Sequence, residues 1–436
     1  MEDIFINNFK TFESQLNGGA KGHVHDIRKK AISSFESLGI PKAKNEEYKY
    51  TNLGKALEKN FDFSTPSAEG NLNQEIIANH VIPNMDANVL VFINGIYSAN
   101  DSKIISPADE IEIKTLKEAF SENTEEVEKH FARYSDYQKD AYVALNTSFS
   151  REGMFINIPK NKIVEKPVAL YFINDATEAQ TYNQPRNLFV AGENSQVTFV
   201  EVFKTEGSEG SFCNAVTEIV VNRSAYVNYY KVQNDVDNAY HVGATDVWQD
   251  HQSNFSAYTI TLSGAIVRNN LNVIQDGEGC ETHMYGLYLV NEKTHVDNHT
   301  AVDHKQPNSF SNELYKGVLE GRSRGVFNGK VYVRQAAQKT NAFQSNKNIL
   351  LSDTAKVNTK PQLEIWADDV KCSHGCTTGQ LDEDALFYLQ ARGLSKTSAR
   401  ALLLYAFAME VIENLKLEPV KNYLEHIISD RLHKDF

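Results

Sequence analysis

Cys372, His374 and Cys376 fall within five positions, in the run Lys371-Cys-Ser-His-Gly-Cys376. Thiolates, and in places an imidazole, hold iron–sulfur clusters, and histidine on the iron alters charge and potential. A neighbouring lysine and the N-terminus of a following helix lower a thiol's pKa, so the run reads as an accessible loop that favours thiolate. One short segment does not complete a four-ligand site, and C-x-x-x-C lacks the spacing of zinc ribbons and ferredoxin loops. A structural turn with a buried cysteine is the alternative. A second set comprises Cys280, His283, His295, His299 and His304. Strand periodicity places His295 and His299 on one face, where imidazoles bind zinc or iron. With no third and fourth ligand identified, these are more simply polar residues at coil edges.

Other chemistries lack their signatures. There is no P-loop, Gly277-Glu-Gly279 lacks the third glycine of a dinucleotide fingerprint, and neither G-x-S-x-G nor H-E-x-x-H occurs. Any nucleotide hydrolysis that drives this protein therefore comes from another chain. The 436 residues carry a net charge of −13, with acids spread throughout. Phosphate binding wants a basic stripe, so nucleic acid is excluded and proteins are the expected partners. Met1-Glu-Asp-Ile-Phe-Ile6 is not a secretory signal, and no run approaches the roughly 18 apolar residues of a membrane span. The expected location is the cytoplasm, without membrane contact. Four cysteines (Cys213, Cys280, Cys372, Cys376) form no disulfide framework, and each taken singly reads as a small buried core residue.

The elements that must position these residues fall into three regions. Residues 1–135 carry apolar positions at helical spacing, among them Phe9, Phe12 and Leu16, then Ile27, Ala31 and Phe35, and later Leu116, Ala119, Phe120, Val127 and Phe131. Residues 136–378 alternate with period two: Val197, Phe199, Glu201 and Phe203 share one face and Thr198, Val200 and Val202 the other, so both faces need cover. Turn clusters at Gly192–Ser195, Asn222–Ser224, Gln252–Asn254, Asp276–Gly279, Glu320–Ser323 and Ser352–Ala355 recur at roughly thirty residues, which suits a stacked β-solenoid. A sandwich is the rival. Residues 379–436 are helical. Asp382, Glu383 and Asp384 supply a first turn, Gly393 a stop and Ser395 a fresh N-cap. The segment Ala399–Leu415 is apolar almost all round and must be buried on more than one side.

The run Thr359-Lys-Pro-Gln-Leu-Glu-Ile-Trp-Ala-Asp-Asp-Val-Lys-Cys-Ser-His-Gly375, continuing through Gly379-Gln-Leu-Asp-Glu-Asp-Ala-Leu-Phe-Tyr-Leu389, resembles the hallmark block of the SufB/SufD family of iron–sulfur cluster assembly proteins. His304-Lys-Gln-Pro307, Leu314-Tyr-Lys-Gly-Val-Leu319 and Ser323-Arg-Gly-Val-Phe-Asn-Gly-Lys330 resemble the same family's core. Asn45-Glu-Glu-Tyr-Lys-Tyr-Thr-Asn-Leu53 is similar to its N-E-E-W-K-Y-T element, with Tyr48 for tryptophan. Gly375 where SufB has glutamate, and Ser345 where SufB has its sulfur-accepting cysteine, place the resemblance on the SufD side.

The resemblance implies a right-handed parallel β-helix core flanked by helical regions. The chain would be a non-enzymatic scaffold working with SufB and the ABC-type ATPase SufC. SufB would pair through the end of the β-helix, with a transient iron–sulfur cluster shared at the junction, and a homodimer could form there when SufB is absent. SufC would dock on the C-terminal helices through Asp382, Glu383, Asp384, Leu386, Phe387, Leu402, Tyr405 and Phe407, and this chain would bind no nucleotide itself. His374 falls on a histidine implicated at the junction and Cys372 on the neighbouring family cysteine. Cys376, where the family more often has alanine, is an extra ligand or a neutral change. Two alternatives are a structural partner of SufB without ligands and a β-helix metalloenzyme using His295, His299 and His304.

Overall fold

A computed structural model describes residues 1–16, 22–64, 70–122 and 125–435. Two parallel sheets face each other and form a mainly β solenoid of about eight coils, with helical regions at both ends of the chain. The first wall runs from the hairpin Asn88–Ile93/Ile96–Lys103 through Val168–Ala176, Gln196–Gly207, Tyr226–Asn234, Asn254–Ser263, Glu281–Val290, Phe310–Leu319 and Asn341–Leu350 to Lys371–Gly379. The second runs from Glu112–Thr115 and Met154–Ile158 through Arg186–Ala191, Ser211–Val221, Ala239–Gln249, Ile266–Gln275, His295–His304 and Arg324–Val333 to Lys356–Ile365. The solenoid reading holds against the sandwich because, beyond an antiparallel pair at the first end of each wall, successive strands pair in parallel, one coil apart.

Alternation sets what fills the space between the walls. Val197, Phe199 and Phe203 point into the lumen with Phe92, Phe172 and Phe189, while Val200 and Val202 point outward. Phe92, Phe172 and Phe203 stack rung on rung at 4.8 and 5.0 Å between centroids, so identical positions on successive coils reinforce each other. Glu201 occupies the same inward face, fully buried, and its carboxylate accepts from Asn187 (3.0 Å), Thr217 (2.7 Å) and Tyr229 (2.5 Å). Corners between strands use left-handed backbone at Asn194, Ser224, Gln252 and Gly321, inside the turn clusters seen in the sequence.

Each wall is covered on its outside. The three C-terminal helices, Glu383–Ala391, Lys396–Ile412 and Glu418–Asp435, follow the first wall. Ala401, Leu404, Ala408, Val411, Val420, Leu424 and Ile428 pack with Tyr230, Tyr258, Ile260 and Leu289. The expected cap at Ser395 is present, accepting from Ser398 (3.0 Å), while Asp382, expected in the first turn, is itself the N-cap and accepts from the backbone of Asp384 (2.9 Å) and Ala385 (3.1 Å). The N-terminal helices cover the second wall through Phe5, Phe35, Leu57 and Tyr142 against Phe212 and Val242.

Candidate functional site

The chain runs out of coils at Lys356–Ile365 and Lys371–Gly379. Among the described residues each of these strands pairs on one side only, with Arg324–Val333 and Asn341–Leu350 respectively. Their outer edges present unpaired backbone N–H and C=O groups, a template for a further chain. Ile365 and Trp366 stand 40% and 48% exposed beside them.

The run Lys371–Cys376 lies on this edge. It is a strand, not the accessible loop expected from its composition, because Cys372, His374 and Cys376 continue the register of Ala342, Gln344 and Asn346 one coil below. Ala342, Gln344 and Asn346 are buried and inward-facing, so the three residues share the lumen face at the solenoid's mouth. Cys372 packs against Val331, Val333, Ala337 and Ala342 and is half-buried, whereas His374 and Cys376 are exposed. Thr359, from the opposite wall, places its hydroxyl 2.8 Å from the Cys376 sulfur, a neighbour that strand alternation would have put across the lumen. Alternate residues on a strand stand ~7 Å apart and every fourth ~13 Å. Cys372 and Cys376 therefore cannot form a disulfide with each other, and any site using this row takes ligands from elsewhere as well.

The expected thiolate activation at Cys372 is not found. Burial raises its thiol pKa, and a backbone hydrogen bond at Ala342 opposes this only in part. Lys371 points to solvent, and the helix Glu383–Ala391 begins beyond the strand's end.

The histidines of the second set are separated. His295 and His299 do share a face, outward on the second wall, where the Asn45–Leu53 element covers them. His295 Nε2 meets Thr51 Oγ1 at 2.8 Å, and His299 lies between Glu47 (3.2 Å) and Asp297 (3.0 Å). His304 is on the opposite, lumen face, hydrogen-bonded to Ser311 at 2.9 Å, because an odd sequence difference puts strand residues on opposite faces. The expectation of a His295, His299 and His304 site is thus corrected: strand geometry keeps His304 away from the other two. His283 stacks on Tyr285 on the outside of the first wall, and the buried Cys280 sulfur contacts the carbonyls of Asp250 and Gly277. Among the described residues no three His, Cys, Asp or Glu side chains group as a metal site.

The residues expected at the ATPase-docking surface also divide. Phe387 is 72% exposed and Leu402 47%, and Glu383 and Asp384 are exposed in the first helical turn. Leu386 is buried instead, and Tyr405 and Phe407 are half-buried against the body. Phe407 is held there by Lys316, whose ammonium lies 4.0 Å from its ring centroid, donates to its carbonyl at 2.9 Å and pairs with Glu410. Glu410 also pairs with Lys347 at 3.0 Å, tying this helix to the strand next to the edge.

Comparison with known proteins agrees with this architecture. Residues 172–407 match the SufBD core domain of the SUF system for FeS cluster assembly, and residues 1–170 match the SufBD protein N-terminal region. The chain is 31% identical over 429 residues to an iron–sulfur cluster assembly SufBD family protein of Synechocystis sp., covering 96% of this chain and 93% of that protein. It is 28% identical to the iron–sulfur cluster assembly protein SufD of Escherichia coli (90% of each chain) and 26% identical to SufD of Bacillus subtilis (93% of each). Among the described residues no helix is long and apolar enough to cross a membrane. The chain belongs to the SufBD family of SUF-system iron–sulfur cluster assembly proteins.

Proposed function

We propose that this chain is a SufD-type scaffold subunit. Its solenoid mouth pairs with SufB, its C-terminal helices carry SufC, and it contributes His374 and Cys372 to the junction where a nascent cluster, the cargo, is built. The observation that carries this is the row Cys372, His374, Cys376 on an unpaired edge strand, facing the lumen where a second chain would continue or close the solenoid. Such a row is incomplete in one chain. A site shared between two chains can be opened by a conformational change, which suits a scaffold that must release what it holds. The role is structural and ligating, with no turnover by this subunit alone. Free thiols suit a reducing cytoplasm.

The exposed Phe387 and Leu402 fit an ATPase subunit on the C-terminal helices, with Glu410, Lys347 and Lys316 passing its movement to the strand beside the mouth. The half-buried packing of Cys372 favours a second reading, in which Cys372 serves the edge's stability and His374 alone meets the cargo. Co-expression with SufB and SufC tests the pairing. A Trp366→Asp chain should fold yet lose SufB while keeping SufC. Retention of SufB by that variant argues against the mouth as the junction.

A further inference from the structure

His374 stands in register with Gln344, and Gln344 with Glu313, on successive coils of the first wall. In-register neighbours lie ~4.8 Å apart, so Gln344 is the side chain directly beneath the His374 imidazole on the lumen face. Glu313 and Gln344 are 2% and 3% exposed. Gln344 Nε2 donates to Glu313 Oε2 at 2.8 Å. Space for the carboxamide comes from Gly329 opposite, where a Cβ would lie 2.2 Å from Gln344 Nε2. Burial raises the Glu313 carboxyl to about 7, opposed in part by the hydrogen bond from Gln344. Above that pH Glu313 is a carboxylate that only accepts, so it takes the amide's N–H and leaves Oε1 as the free end of Gln344. That oxygen is buried and has no hydrogen-bond partner among the described residues. A buried acceptor without a donor is costly, and the side chain in register one coil further on, His374, carries a ring N–H.

We propose that Gln344, oriented by Glu313, is a positioning residue for His374: its Oε1 accepts one imidazole N–H and fixes the tautomer whose other nitrogen presents a lone pair at the mouth. A histidine that ligates through one nitrogen is oriented by the acceptor its other nitrogen finds. The inference rests on the reading of His374 as a junction ligand, but its test does not involve a cluster.

The test is the ¹⁵N spectrum of the full-length chain at a pH where His374 is neutral, with its signal assigned by loss in His374→Gln. N-acetylhistidine methylamide in the same buffer serves as the reference for an unconstrained ring. A hydrogen bond of about 1.4 kcal/mol skews the His374 tautomer ratio about tenfold relative to that reference. Gln344→Met and Glu313→Gln should each remove the skew, the second because a neutral amide can donate to Oε1. A wild-type ratio equal to that of the reference compound overturns the proposal even if neither variant folds. So does a skew that persists in folded Gln344→Met. If His374→Ala assembles cluster normally while the tautomer skew is present, the junction reading fails and the positioning stands.

Discussion

The Asn45–Leu53 element rests on a charge pair buried within the second wall, and replacing Asp297 with alanine tests how much that pair contributes. Asp297 and Arg268 are 1% and 2% exposed. Arg268 Nη1 donates to Asp297 Oδ2 at 2.8 Å and to the Glu47 carbonyl at 2.7 Å, and its guanidinium lies 4.0 Å from the Tyr48 ring centroid. Thr51 donates to the same carboxylate at 2.5 Å. Burial alone would raise the Asp297 carboxyl, but Arg268, His299 and the Thr51 hydroxyl together hold it well below the usual carboxylate range. Removing one partner of a buried pair strands the other charge and costs about 3–5 kcal/mol, whereas replacing both by apolar groups of similar size is often neutral. Asp297→Ala should therefore accelerate amide exchange in Asn45–Leu53 and in the strand His295–His304 by roughly two to three and a half orders of magnitude, at about 1.4 kcal/mol per tenfold. Asp297→Leu combined with Arg268→Met should restore most of the protection. Hydrogen exchange with mass spectrometry reads local opening, so the comparison needs no two-state unfolding. A single-variant cost below about 1 kcal/mol, or a double variant as labile as the single, refutes the reasoning.

Three further outcomes can be checked. Burial raises the Asp246 carboxyl to about 7 against hydrogen bonds from Ser135 and Asn272. Its folded pKa thus lies above the unfolded value of about 3.9. The native state then holds the extra proton, and stability falls as pH rises between those values. Asp246→Asn should flatten that decline in urea midpoints measured from pH 4.5 to 8, leaving the part due to Glu313; parallel curves would contradict it. Phe387→Glu and Leu402→Glu, at exposed positions, should change stability by no more than about 0.5 kcal/mol while releasing the ATPase subunit in pull-downs. Gly317→Ala brings a Cβ to 2.2 Å from the Tyr288 ring and 2.5 Å from Asn348 Oδ1, so it should lower stability by about 1–3 kcal/mol in thermal melts.

Much of the scaffold is visible in the sequence because it is set by local alternation. The split of Val197, Phe199 and Phe203 from Val200 and Val202 predicts two covered faces, though not which of them meets the lumen, and the turn clusters supply the left-handed corners at Asn194, Ser224 and Gln252. The cap at Ser395 and the acidic helix start at Asp382–Asp384 are legible from equally local signals. What escapes is set by pairing at a distance. Lys371–Gly379 has the composition of a loop, with Gly, Ser and Thr and no large β-branched residue, and is a strand because Asn341–Leu350 templates it. The burial of Cys372 and the Glu313–Gln344–His374 column depend on which residues lie one coil below, which no local pattern reports. The separation of His304 from His295 and His299 was available from the parity of their numbers alone.

On the proposed function, His374 at the solenoid mouth takes part in building the cluster. Its most direct test is anaerobic purification of the chain with SufB and SufC, followed by cluster reconstitution with wild-type protein and His374→Ala. The account predicts that the mutant complex forms with unchanged stoichiometry and assembles little cluster. A mutant complex that assembles cluster at the wild-type rate would contradict it and leave this subunit a structural support for chemistry held by SufB.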